Sequence, residues 1–109
     1  MRIWDIPVEK LCQKHLLGEH RELHAIWSIL VNNKKGYSKH PETIRWKGKL
    51  KALYLRHEQL VKEMNARGYS HKSPLDEKFA KGYGTQKEYV DSIDEQIKIL
   101  KKKKYNCKV

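Results

Sequence analysis

Apolar residues in this chain recur at spacings of three and four, and nowhere alternate convincingly as a half-buried strand would. Leu16, Leu23, Trp27 and Leu30 fall within a narrow arc at about 100° per residue. Leu50, Leu53, Tyr54, His57, Leu60, Val61 and Met64 make a second helical face, and Tyr89, Ile93, Ile97 and Leu100 a third. Turn chemistry separates them: NNKKGYSKHP after the first, and a loop over 69–84 with Pro74, Gly82 and Gly84 after the second. The pattern predicts helices over about 7–31, 42–67 and 85–103. Asp5 is the expected N-cap of the first, with Pro7 in its first turn. Gly68 sits where a left-handed C-terminal cap belongs, and Thr85 with Glu88 reads as a T-x-x-E capping box. Gly18 weakens the first helix by roughly 1 kcal/mol relative to alanine and marks a kink or a close backbone approach. The fold class is therefore all-α: a compact single domain, residues 1–109, of about three helices with long connecting loops. A chain this short buries one core but no spacious cavity, so an active site is expected in a surface groove.

Charge limits the partner. Lys and Arg number 24 against 13 Asp and Glu, a formal net charge of +11. Such an excess repels itself in the compact state and suits a polyanion. No apolar run approaches the ~20 residues that spanning a membrane needs, and MRIWDIP lacks the apolar stretch of a signal peptide. The expected setting is cytoplasmic with access to DNA, as a monomer. Cys12 and Cys107 have neither CxxC nor zinc spacing and read as free thiols. Residues 1–33 are electrically neutral, whereas 34–74 hold eleven basic and three acidic side chains. There Lys34, Lys35, Lys39, Arg45, Lys47, Lys49 and Lys51 surround Tyr37, His40 and Trp46. Basic residues interleaved with aromatics suit phosphate neutralisation and contact with an unstacked base, although Trp46 equally suits the core. The Lys101-to-Lys104 run complements a helix C-terminus and is a second, smaller footprint.

Polar residues crowd the first helix. On the helical wheel His15, Glu19, Glu22 and Ile26 share one flank of the core stripe; His20 and His24 share the other, and Arg21 points away. HRELH is not HExxH: its glutamate lies on nearly the opposite face from the histidine pair and cannot serve a metal held there. Spacing places no third ligand beside His20 and His24, so no metal and no cofactor is expected. Glu22 is a better candidate, given a partner at the N-terminus. Arg2 discourages removal of Met1, and an α-amine is partly neutral at physiological pH. A neutral amine can attack an electrophilic carbon and form an imine. A neighbouring carboxylate stabilises the cationic intermediate and moves protons. The pair suits chemistry at C1′ of a deoxyribose.

The segment KHLLGEHREL, 14–23, resembles the helix of the phage endonuclease V type pyrimidine-dimer DNA glycosylases, which carries histidine–leucine and then arginine–glutamate–leucine at this spacing. Met1-Arg2-Ile3 aligns without a gap against that family's amine-bearing residue, arginine and isoleucine. LYLRHEQLVKEMNARGY, 53–69, resembles its second helix, which ends in an arginine–glycine–aromatic turn. The resemblance spans about two-thirds of the chain. It implies an all-α fold and a bifunctional enzyme on double-stranded damaged DNA, with Met1 as nucleophilic amine and Glu22 as catalytic carboxylate. Arg2 and Arg21 would contact phosphates or orient the nucleotide, and His15 would line the site. The departures are that Met1 stands where the family exposes a small residue, that Ala25 replaces an arginine, and that the tail KKKKYNCKV lacks the family's aromatic-rich end. The competing expectations are a non-catalytic DNA-binding helical module and a metal-dependent nuclease using His20 and His24.

Overall fold

The structure, a computed structural model, describes residues 2–36, 39–69 and 74–102. It is all-α: α1 spans Gln13–Val31, α2 Pro41–Arg45, α3 Leu50–Ala66 and α4 Ile93–Lys102, with 3-10 turns at Val8–Lys10 and Glu77–Phe79. Among the described residues the only extended pairing is an isolated bridge between Lys49 and Gly82. α1 and α3 pack against each other through the faces that the spacing predicts. Leu16, Leu23, Leu53 and Leu60 are fully buried, Trp27 and Met64 nearly so, and Leu30, Leu50 and Tyr54 pack at the margin. Burial of each large apolar side chain contributes about 1.5–3 kcal/mol. Ile3, Ile6 and Leu11 from the N-terminal segment and Leu100 from α4 close the same core.

α1 and α4 start later than the sequence suggests, because distant partners engage the expected capping residues. Asp5 does not cap α1: its carboxylate accepts from Arg45 and from Gln96, both at 3.0 Å. Residues 2–6 consequently run across the helices, Pro7 leads into a 3-10 turn, and α1 begins at Gln13. Arg67 clamps that turn, donating to the Leu11 carbonyl at 2.6 Å.

The second expected helix is two. α2 opens with Pro41 at its first position and with the His40 ring accepting from the Glu42 N–H. The chain then breaks at Gly48, whose φ of 73° lies in the left-handed region. The exposed N–H groups of α3 find backbone carbonyls across the molecule: Lys51 donates to Lys81 and Ala52 to Tyr83. α3 ends as its sequence predicts, in a Schellman turn: Gly68 has φ 82°, Tyr69 donates to the Met64 carbonyl and Gly68 to that of Asn65.

The Thr85–Glu88 capping box does not form. Gln86 and Glu88 turn instead toward Lys49, at 2.8 and 3.3 Å. Ser92 caps α4, accepting from the Glu95 N–H at 3.2 Å, so an S-x-x-E lies seven residues further on. Tyr89, expected inward, is exposed because it precedes the helix.

Candidate active site

The N-terminal segment is pinned on both sides. From α1, the Glu19 carboxylate accepts from the Trp4 N–H at 2.9 Å. From α3, Arg56 grips Glu19 with two hydrogen bonds, 2.7 and 3.0 Å, and donates also to the Ile6 carbonyl. Glu19 is buried, and burial pushes its carboxyl above the usual range, opposed by the charge and hydrogen bonds of Arg56. On the other side Arg45 donates to the Ile3 carbonyl, to Asp5, to Glu42 and to the Glu88 carbonyl. Gln96 from α4 takes up the rest of Asp5.

This clamp sets Arg2 and Trp4 against the flank of α1 that carries His15, Glu19 and Glu22. Together they line an open cleft of about 340 Å³. Glu22 is half-buried on its wall, while Glu19, one helical turn earlier, is sealed beneath the segment. The two carboxylates thus have different tasks: Glu22 is open to a ligand and Glu19 holds the wall. Arg2 stacks its guanidinium 4.9 Å over the Trp4 ring and pairs with Asp91 at 2.7 Å. His15 meets Trp4 edge-on with ring centres 5.7 Å apart, and its Nδ1 lies 3.0 Å from the Cys12 Sγ. Gly18 lines the cleft and an adjoining groove that contains Arg21. A Cβ at Gly18 would meet nothing within 4 Å. This glycine therefore widens the site rather than permitting a close backbone approach. Met1 lies outside the described residues.

The expected DNA-contacting residues divide into two groups. Lys34, Lys35 and Lys47 surround one groove of about 360 Å³, floored by Ile29, Leu30 and Leu50. Lys39 and Arg21 are exposed. Three of the expected residues are instead drawn into the fold. Arg45, 5 % exposed, is taken up by internal acceptors; burial disfavours its charge, but the hydrogen bonds it donates to Glu42 and Asp5, with the charges of those carboxylates, outweigh burial and raise its pKa. Trp46 is buried and donates its indole N–H to Glu42. Lys49 is mostly covered and held by Gln86 and Glu88, so it too serves the fold. Tyr37 lies outside the described residues, as do Lys103 and Lys104.

Glu19 and Arg56 are the site residues the sequence did not single out. The helical wheel puts Glu19 on the Glu22 flank; Arg56 is 37 positions away and leaves no local signal. On the opposite flank of α1, His20 and His24 meet His57 of α3, a third histidine that spacing could not place.

A basic all-α domain whose tethered N-terminal segment forms the wall of a carboxylate-bearing cleft is, by class, a helical protein suited to acting on DNA. The family model for pyrimidine dimer DNA glycosylase matches residues 1–77, and the chain belongs to that family. Comparisons with curated proteins and with solved structures find no significant match. Among the described residues, no helix is long and apolar enough to cross a membrane.

Proposed function

We propose that this protein is a bifunctional pyrimidine-dimer glycosylase and abasic-site lyase that acts as a monomer on double-stranded DNA, with the Met1 α-amine as nucleophile and Glu22 as catalytic carboxylate. The observation that carries the reading is the shared cleft of Arg2 and Glu22. A single peptide unit joins Met1 to Arg2, and consecutive Cα atoms lie only about 3.8 Å apart.

The neutral amine attacks C1′ of the damaged nucleotide. The glycosidic bond breaks and its electron pair leaves with the base; proton loss from nitrogen and ring opening give the imine. Glu22 stabilises the cationic intermediate and relays protons. Loss of a C2′ proton then expels the 3′ phosphate by β-elimination and cuts the strand. Arg21 and Arg2 hold flanking phosphates, Arg2 exchanging Asp91 for DNA, and His15 lines the pocket. Lys34, Lys35, Lys39 and Lys47 supply the sequence-independent grip.

The test is Glu22→Gln on a duplex carrying one pyrimidine dimer. Strand cleavage is expected to fall by about 10²–10⁴-fold with binding retained. Cleavage that survives would remove Glu22 from the mechanism; a wild-type protein that binds without cutting would make it a DNA-binding module.

A further inference from the structure

His20, His24 and His57 bring their ligand atoms within 4.8 Å of one another. The Nε2 of His24 lies 3.2 Å from the Nε2 of His20 and 3.1 Å from that of His57. A neutral imidazole nitrogen carries either one hydrogen or one in-plane lone pair. The His24 Nε2 therefore cannot donate to one neighbour and accept from the other at once. A cation among the rings would use all of these lone pairs together. Metal–nitrogen bonds of 2.0–2.1 Å at tetrahedral angles separate the nitrogens by about 3.3 Å, close to the two spacings from His24, while His20 and His57 lie within 4.8 Å of each other.

Two further features fit a metal. Glu58 stands 3.1 Å from the His57 Nδ1, the carboxylate partner that fixes a ligating histidine with its other nitrogen toward the ion. His57 is fully buried on α3, whereas His20 and His24 are half-buried on α1, so the ring cluster bridges the two main helices with one side toward solvent.

We propose that His20, His24 and His57 form a three-histidine site for a divalent transition metal of the zinc class, with water as fourth ligand, which clamps α1 to α3. An all-nitrogen ligand set selects against magnesium and calcium, which require oxygen. Glu22 lies on the opposite flank of α1, so the ion stands apart from the proposed imine chemistry and its role is structural.

The full chain, without a histidine tag and stripped with chelator, is titrated with Zn²⁺ by calorimetry, and its Co²⁺ form is examined by visible absorption. One zinc per chain is expected, with a tetrahedral Co²⁺ spectrum. A melting-temperature rise of roughly 10 °C is expected at zinc a hundredfold above its dissociation constant. His20→Ala, at a half-exposed position, should weaken zinc binding by about 100-fold or more and erase the rise, with circular dichroism reporting the retained fold. Zinc binding by the wild type no tighter than by a His20→Ala/His24→Ala double variant would overturn the site, as would an octahedral Co²⁺ spectrum. Dimer cleavage by the stripped protein distinguishes the two readings. If cleavage requires zinc, the structural assignment of the ion falls; if zinc binds as expected and no cleavage occurs in either form, the metal site stands and the glycosylase mechanism falls.

Discussion

Glu19 and Glu22 stand one helical turn apart and illustrate how burial divides like residues. Arg56 binds Glu19 beneath the N-terminal segment and leaves Glu22 to face the cleft. Both partners of that ion pair are largely withdrawn from water, with side-chain exposures of 12 % and 0 %. Removing one leaves the other charge buried and uncompensated, at a cost of about 3–5 kcal/mol. Arg56→Ala should lower the unfolding free energy by that amount in urea titration, and a loss below about 1 kcal/mol would contradict the clamp. Helical periodicity alone grouped His15, Glu19 and Glu22 on one flank. It could not supply Arg56, nor show that Arg45 and Trp46, set among lysines, are buried. Their burial depends on Asp5, Ile3 and Glu42, two of which lie some forty residues away from Arg45 in sequence.

Among the elements, the long apolar stripes of α1 and α3 and the Gly68 cap were legible, because periodicity and a left-handed glycine are local signals. The starts of α1 and α4 were not. Asp5 and Glu88 are good capping residues by type, but tertiary partners engage them instead. The break between α2 and α3 depends on another long-range feature, the crossing of Gly48 and Gly82. Gly82 has φ 88°, and a Cβ there would run into the Gly48 carbonyl oxygen. Gly82→Ala should therefore destabilise the protein by roughly 1–3 kcal/mol and loosen the loop that caps α3. Faster amide exchange at Lys51 and Ala52 is the expected signature, and unchanged exchange would refute the capping role.

Across the whole molecule, the basic charge open to the proposed DNA grip narrows to one groove. Lys34, Lys35 and Lys47 gather around one groove, while Arg45 and Lys49 hold the fold together. Each phosphate neutralised adds about 0.9 to the slope of log affinity against log salt. Replacing those three lysines by alanine should flatten the slope by roughly 2 to 3; an unchanged slope would move the grip elsewhere. The family match ends at residue 77, yet Asp91 and Gln96 beyond it reach back to Arg2 and Asp5. The C-terminal part of this chain thus helps to position the N-terminal segment on which the proposed chemistry depends. Borohydride reduction of the protein on abasic-site duplex DNA tests that chemistry most directly. A covalent adduct located at Met1, and abolished when the α-amine is acetylated, is the predicted result. No adduct, or one that persists on the acetylated protein, would contradict it.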